Sequence, residues 1–228
     1  ENKTSIVYSL LLKKKNICDK CFENCKKMIK MPIPPSIKSI KKRAFYGCKS
    51  LTQVIIPSSI KSIGMHAFRD CTLLEEIIIP KSVKRIYGYA FDGCKSLKQI
   101  KIPISVKKIG ECAFYGCSSV EKISILSSLK TIEPHVFFDC TSLKQITIPS
   151  SVSSIGQSSF KYCSSLERIF FDNPSSLLSI CKGAFGYCSS LIIIKIPSSV
   201  TSIGKGSFKK CSSLTQITFE IPSSVTSI

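Results

Sequence analysis

Residues 97–119 read LKQIKIPISVKKIGECAFYGCSS, and the same pattern returns every 23 residues along most of the chain. Units start at residues 28, 51, 74, 97, 120, 143, 166, 191 and 214. The step to 191 is longer because Asp172 and Asn173 are inserted, and Glu220 and Ile221 form a second insertion. A repeat of this length predicts a solenoid, in which each unit is one coil that is too small to bury its own apolar side and stacks on its neighbours.

The first six positions of the unit predict a short β-strand. In Leu97 to Ile102, apolar β-branched residues alternate with polar ones before a Pro, which suits a strand that ends at the Pro. We expect the strands to stack into one parallel sheet, about 4.8 Å apart. The rest of the unit predicts turns, 3₁₀ segments or a second short strand. Residues 28–228 then form about nine coils of one continuous domain, the last incomplete, and residues 1–27 form a degenerate N-terminal capping repeat.

Two columns of the repeat predict structural ladders. Position 18 is aromatic and position 21 is a cysteine, as in Phe45, Phe68, Phe91, Phe114, Phe137 and Phe160, and in Cys48, Cys71, Cys94, Cys117, Cys140 and Cys163. Side chains stacked in register point the same way, whereas a disulfide needs converging Cβ atoms about 3.8 Å apart. We therefore expect reduced, buried thiols, and an unpaired row of thiols favours a reducing compartment.

Four cysteines lie outside this column. Cys18 and Cys181 occupy the glycine position of the unit and Cys21 occupies the alanine position, which predicts small residues at small positions. Cys112 is a lone thiol in a variable column. A zinc site built from Cys18, Cys21 and Cys25 is disfavoured because no second cysteine pair follows. No metal or cofactor is predicted.

The sequence carries no enzyme signature. Position 9 is a serine in every unit, so its hydroxyl is expected to bond to the backbone from coil to coil. A catalytic serine would differ from the others and would lie beside a histidine and an acid. The two histidines, His66 and His135, fall in the same column three coils apart and cannot share one site.

The pattern L-x-x-I-x-I-P-x-S-V-x-x-I-G-x-x-A-F-x-x-C resembles the BspA-like leucine-rich repeat of the Treponema pallidum type, which occurs in bacteria and in protists such as Entamoeba and Trichomonas. The resemblance covers nearly the whole chain. It implies a β-dominant member of the α/β-horseshoe class, with the parallel sheet on the concave face and turns or short strands on the convex face. It is weakly specific for function, because such repeats serve adhesion, recognition, phosphatase regulation and scaffolding.

Candidate binding residues follow from the alternation along the strand. Positions 1, 4 and 6 face the core, so positions 3 and 5 point out of the concave face. Position 2 alternates Glu and Lys from coil to coil, which predicts cross-strand ion pairs. Large apolar residues beside an arginine near residues 168–195 have the composition of a binding hot spot, unless the insertion at 172–173 covers them. The candidates are Gln53, Ile55, Glu76, Ile78, Gln99, Lys101, Lys122, Arg168, Phe170, Ile192, Ile193 and Lys195.

Basic residues form a second candidate surface. The chain has 33 Lys and Arg against 14 Asp and Glu, a net charge of +19, and its first fifty residues hold thirteen basic and three acidic side chains. Position 11 contributes a basic stripe that an anionic protein, a polyanion or an acidic membrane could bind. A solvated ridge of like charges is the alternative. The stripe consists of Lys38, Lys61, Lys84, Lys107 and Lys130.

These features predict a non-enzymatic scaffold that binds a protein partner, including an acidic one, through its concave sheet in the cytoplasm. Regulation of an intracellular enzyme such as a phosphatase is one such role. A cell-surface adhesin is the first alternative, supported by the resemblance and by the glycosylation sequon at Asn2. Binding of a polyanion or acidic membrane through the basic N-terminal half is the second. Nucleic acid is disfavoured as a partner, end-to-end self-association stays open, and no apolar run approaches the ~18 residues of a membrane span.

Overall fold

The computed structural model describes residues 8–126 and 128–227. Each coil carries two strands, a longer one from the first six positions of the unit and a two-residue one at positions 12 and 13. The longer strands are β2 (Lys30–Pro32), β4 (Gln53–Ile55), β6 (Glu76–Ile77), β8 (Gln99–Ile102), β10 (Lys122–Ile125), β12 (Gln145–Ile148), β14 (Arg168–Phe171), β16 (Ile193–Ile196) and β18 (Gln216–Phe219). The short strands are β1 (Asn16–Ile17), β3 (Ser39–Ile40), β5 (Ser62–Ile63), β7 (Arg85–Ile86), β9 (Lys108–Ile109), β11 (Thr131–Ile132), β13 (Ser154–Ile155), β15 (Ser179–Ile180) and β17 (Ser202–Ile203).

All the recorded strand pairs are parallel and join neighbouring coils in the register of the repeat, as in Lys122 with Gln99. The single sheet expected from the sequence is divided: β2, β4 and β6 form one sheet, and the even-numbered strands from β8 to β18 form another. The division falls where β6 has only two residues, so strand pairing lapses for one coil. The backbone bond from the Lys98 nitrogen to the Glu75 oxygen, 3.2 Å, still joins the two coils there. The stacking is therefore continuous although the sheet is not.

The core follows the apolar columns. In the coil that starts at residue 97 every column residue is at most 3% exposed, namely Leu97, Ile100, Ile102, Val106, Ile109, Ala113, Phe114 and Cys117. The phenylalanine rings form one uninterrupted stack from Phe22 to Phe208, with centroids 5.1 to 5.8 Å apart and ring planes within 24° of each other. One coil alone would expose this surface to water, so the stack makes each coil depend on its neighbours.

The turns opposite the longer strands repeat a backbone conformation that could not be predicted from the sequence. Positions 16 and 20 have positive φ in every coil, for example His66 at 55° and Asp70 at 58°. The nitrogens of positions 16, 18 and 20 then donate to carbonyls of the following coil, as Phe68 does to Ala90 at 2.8 Å. Left-handed conformations cost a non-glycine residue roughly 1 to 2 kcal/mol. The coil-to-coil bonds offset that cost.

The serine and cysteine columns bond between coils. The Ser105 hydroxyl donates to the Val83 oxygen at 2.8 Å, and five further serines of the column donate to the preceding coil in the same way, namely Ser36, Ser59, Ser82, Ser151 and Ser199. The Cys117 thiol donates to the Phe91 oxygen at 3.3 Å. The serine column therefore acts as the sequence predicted, and the cysteine column has the additional role of bonding to the backbone of the preceding coil.

The N-terminal coil contains only part of the repeat. Residues 8–12 are helical, with Leu11 buried, and β1 pairs with β3 in the repeat register. Cys18 and Cys21 are joined by a disulfide, a role that their assignment to small-residue columns did not predict. Their Cα atoms are 5.3 Å apart because both lie in one tight turn of one coil. The stacked cysteines of neighbouring coils lack such a turn.

Candidate functional site

The exposed side chains at positions 2, 3 and 5 of the units form one surface, which we call the strand face. In β8 the side chains of Gln99 and Lys101 are exposed while Ile100 and Ile102 are buried. The same alternation holds in β4, β12 and β16. All twelve candidate residues are exposed, namely Gln53, Ile55, Glu76, Ile78, Gln99, Lys101, Lys122, Arg168, Phe170, Ile192, Ile193 and Lys195.

The strand face has an apolar patch at each end. Ile55 and Ile78 lie side by side on neighbouring coils and are 64% and 68% exposed, more than any apolar candidate near the other end. Phe170, Ile192 and Ile193 are 43% to 45% exposed, so the insertion at residues 172–173 does not cover them. The composition of the sequence pointed to the second patch because an arginine accompanies it. The first patch has no such neighbour and did not stand out.

Charged residues occupy the strand face between the two patches. A groove of about 420 Å³ runs across three coils there, lined by Glu121, Lys122, Lys144, Gln145, Glu167 and Arg168. The Glu and Lys alternation at position 2 predicted ion pairs throughout this region. Among the described residues only Glu75 and Lys98 come within range, at 3.6 Å, because these side chains are mostly exposed and extend into solvent. The remaining charges are free to meet a partner.

Lys195 is the one candidate residue on the strand face that forms an ion pair within the described part of the chain. Its ammonium lies 3.1 Å from the Glu220 carboxylate, which also accepts a hydrogen bond from the Ser198 backbone. The hydrogen bond from Lys195 lowers the pKa of Glu220 below its ordinary value. The second insertion thus fixes the charge beside the apolar patch of Ile192 and Ile193.

The basic stripe is a continuous surface of exposed lysines in the N-terminal half. Backbone bonds from Lys38 to Lys15, from Lys61 to Lys38, from Lys84 to Lys61 and from Lys107 to Lys84 place these side chains one coil apart. Lys15 is a member that the sequence analysis missed, because the degenerate first unit hides its column. The Lys107 ammonium contacts the Ser128 hydroxyl at 3.3 Å, and no ion pair involves a stripe lysine within residues 8–126 and 128–227. Lys130 is also exposed.

The thiols of the cysteine column are mostly buried and unreactive. Eleven cysteines are free thiols, and seven of the nine in the column are fully buried, whereas Cys25 and Cys211 in the outermost coils are partly exposed. Burial raises the pKa of the Cys48 thiol to about 12 and raises the pKa of Cys94 well above its usual value. A thiol must ionise before it reacts, so these groups resist oxidation in any compartment. The free thiols of the cysteine column therefore say less about the cellular compartment of the protein than the sequence suggested.

The cysteines and histidines considered for a metal site or a catalytic site make other contacts in the structure. Two of the three cysteines considered for zinc are consumed by the Cys18–Cys21 disulfide. The His66 ring stacks on Tyr89 at 4.9 Å, and burial lowers the pKa of His66. The ring of His135 packs against Phe138 at 5.7 Å. In the described part of the chain, no helix is long and apolar enough to cross a bilayer.

The stacked parallel strands, the inward aliphatic columns and the exposed strand face together define a solenoid of the leucine-rich repeat class. The family model of the BspA type leucine-rich repeat region matches residues 15–144 and 107–228, in six copies. The chain belongs to this family, whose members are generally non-catalytic interaction or surface modules.

Solved structures agree with this assignment. A leucine-rich repeat protein from Bacteroides ovatus is 26% identical, with 93% of this chain and 78% of that chain covered and a TM-score of 0.55. The Treponema pallidum leucine-rich repeat protein is 29% identical, with 82% and 78% covered and a TM-score of 0.58. One from Eubacterium ventriosum, 24% identical, shares the fold with a TM-score of 0.68 over 82% of this chain and 59% of that chain. No curated protein matches the chain.

Proposed function

We propose that this protein is a binding module that recognises another protein through its strand face. The observation that carries the proposal is the pair of exposed apolar patches, formed by Ile55 and Ile78 at one end and by Phe170, Ile192 and Ile193 at the other. Large apolar side chains rarely stay in contiguous exposed groups on a surface that has no partner. The second patch also has Arg168 beside it, and arginine is enriched in binding hot spots.

The scaffold beneath these residues is rigid, which favours affinity. The strand of the second patch is bonded to both neighbouring coils, as Arg168 is paired with Gln145 on one side and Ile193 on the other. Ordering flexible groups at an interface costs about 0.5 to 1.5 kcal/mol for each long side chain, and a fixed backbone avoids the further cost of ordering a loop. The charged residues between the patches would then select the partner more than they would add affinity.

The test compares strand-face variants with stripe variants. A partner recovered by cross-linking should bind Phe170→Ala or Ile193→Glu more weakly by about 2 kcal/mol, without any fall in the melting temperature. The matched control is the double variant Lys61→Glu with Lys84→Glu, which should slow association and reduce its salt dependence. Binding that survives both strand-face changes and disappears with the lysine changes would contradict the proposal.

The basic stripe supports a second candidate, the binding of a polyanion or an acidic membrane. Its five predicted lysines and Lys15 are exposed, and the described residues place no carboxylate against any of them. Basic residues near an anionic surface each contribute about 1 kcal/mol at low ionic strength. Sedimentation with vesicles that contain 20% phosphatidylserine should fall steeply with salt, and the lysine double variant should remove it. Retention of vesicle binding in that variant would exclude the stripe.

For its setting we propose a cytoplasmic scaffold, which includes regulation of an enzyme such as a phosphatase, with a cell-surface adhesin as the alternative. The free thiols support the first, although their burial weakens that support, and the Cys18–Cys21 disulfide favours an oxidising setting. The Asn2 sequon lies outside the described residues. Antibody staining of intact and permeabilised cells separates the two. Staining of intact cells would overturn the cytoplasmic setting.

A further inference from the structure

The side of the solenoid opposite the strand face carries a second aromatic ladder, outside the core. Tyr115, Phe138, Tyr162 and Tyr187 pack ring on ring, with centroids 4.6, 5.2 and 4.7 Å apart in that order. These residues come from positions 19 and 20 of four successive coils, where the side chains are only partly buried. The ladder ends at a cleft rather than at a further ring.

The cleft exists because glycine replaces larger residues in two neighbouring coils. Gly186 stands at position 19, where other coils carry Tyr115, Phe138 or Lys161, and glycines 183 and 206 stand at position 16. The missing side chains leave a cavity of about 470 Å³. Its lining includes Lys161, Lys182, Lys205, Lys209, Gly186 and Tyr187.

Four lysines surround this cleft without any acidic partner. Lys182 and Lys205 follow each other in one column, about 5 Å apart by coil spacing, and Lys161 and Lys209 lie about 10 Å apart on either side of Gly186. The lining contains no carboxylate, and none of the four lysines forms an ion pair with any described residue. The cleft therefore concentrates positive charge that no carboxylate of its lining offsets, which favours an anionic ligand.

The cleft also offers groups that suit a ring with hydroxyls. The Lys161 ammonium lies over the rings of Tyr162 and Tyr187, at 5.1 and 5.4 Å, which fixes its position at the wall. A Cβ placed on Gly186 would lie 3.4 Å from the carbonyl oxygens of residues 183 and 206, which accept backbone bonds from the nitrogens of Gly186 and Lys209 and each keep a second lone pair. Carbonyl oxygens accept hydroxyl protons and repel bare anions. The partly exposed ring of Tyr187 supplies a flat apolar wall.

We propose that this cleft binds a polyol ring that carries two or more phosphate esters. The esters contact the lysine ammonium groups, which are point-charge phosphate binders, the ring hydroxyls donate to the carbonyl oxygens of residues 183 and 206, and the ring face packs on Tyr187. The spacing of the lysines matches several esters on one ring better than one isolated phosphate. The ligand is either a free solute or the head group of a membrane lipid. This site is separate from the strand face and from the basic stripe.

The structure provides a variant that fills the cleft without backbone strain. Glycines 183 and 206 have φ of 65° and 70°, so substitution there is strained, but Gly186 has no such conformation and a Cβ there makes only ordinary contacts. Gly186→Phe should extend the aromatic ladder into the cleft. Lys182→Met with Lys205→Met removes two rim charges, and Lys61→Met with Lys84→Met removes the same charge from the basic stripe. Gly186→Ala is the control for the loss of glycine itself.

The experiment is calorimetric titration of the full chain with inositol hexakisphosphate in 150 mM NaCl. We expect binding that weakens at least tenfold in Gly186→Phe and in the rim double variant, since removing a strong charged hydrogen bond weakens binding about tenfold. The stripe variant and Gly186→Ala should change it less than about threefold, and myo-inositol and pyrophosphate should bind at least about tenfold more weakly than the hexakisphosphate. Unchanged melting temperatures would show that the variants fold; if Gly186→Phe fails to fold, the lysine pairs decide.

Three results would overturn the proposal: no binding by the unaltered chain, equal losses in the rim and stripe variants, or pyrophosphate binding as tightly as the hexakisphosphate. Vesicles of phosphatidylcholine with 5% phosphatidylinositol bisphosphate distinguish the two sources. Sedimentation with these vesicles that the rim variant abolishes assigns a lipid head group. Binding of the free hexakisphosphate without sedimentation assigns a solute.

Discussion

The replacement Phe114→Ala should show how far the ring stack holds the coils together. The Phe114 side chain has 0% exposure, and its ring lies 5.1 Å from that of Phe91 and 5.7 Å from that of Phe137. Removing a buried Phe ring typically costs about 3 to 5 kcal/mol in transfer free energy and cavity formation. Two ring pairs, each worth about 0.5 to 1.5 kcal/mol beyond area, place this site at the upper end of that range. A loss of this size is a large fraction of the stability of a typical domain, about 5 to 15 kcal/mol.

The matched control is Phe138→Ala, in the corresponding turn of the next coil, beside Phe137. Phe138 is only partly buried, although its ring contacts those of Tyr115, Tyr162 and His135, at 4.6, 5.2 and 5.7 Å. Its removal takes less apolar surface out of the buried interior, so we expect about half the loss at Phe114. Urea unfolding followed by far-ultraviolet circular dichroism measures both. An equal or larger loss at Phe138 would refute the assignment of position 18 to the core stack.

The measurement must also test cooperativity. Solenoids behave as sums of coil and interface energies, so a severe lesion in the middle can split one transition into two. A fall in the slope of the unfolding curve for Phe114→Ala, with an intermediate that retains part of the dichroism, would support nearest-neighbour stacking. The control should keep the slope of the unaltered chain.

The remaining predictions concern buried ionisable groups and thiols. Burial raises the pKa of Asp92 to about 6, so its ionisation opposes folding, and the free energy of unfolding should fall as the pH rises from 4 to 7. Urea titrations should show Asp92→Asn gaining stability relative to the unaltered chain over that interval; a gap that is constant or reversed in sign would contradict this. Thiol titration of the native protein should find only the partly exposed Cys25, Cys181 and Cys211, and eleven groups after denaturation without reductant; several protected disulfides would contradict the ladder. Cys117→Ala should cost about 1 to 2 kcal/mol in urea unfolding, because it removes the bond to the preceding coil and leaves a small void; no loss would show that this bond is dispensable.

The sequence alone determined the frame of this protein. A strict 23-residue period fixes which residues stack, and the two-residue alternation of a strand fixes which side chains face the core. This alternation is enough to assign Gln99 and Lys101 to the exposed face and Ile100 and Ile102 to the core, where they lie. The family resemblance rests on the same columns. These features are local or periodic, so they recur in the sequence of every unit.

Only the tertiary structure decided the features that depend on several coils at once. The left-handed residues at position 16 follow from coil-to-coil hydrogen bonds and carry no common residue type, as Tyr89, Cys112 and His135 show. Most of the ion pairs predicted at position 2 do not form, because exposed side chains choose between a neighbour and water. The cleft at Gly186 is defined by side chains that are missing in two coils and by lysines from three. The sequence pattern of one unit cannot predict such a site, because the residues that form it come from several stacked coils.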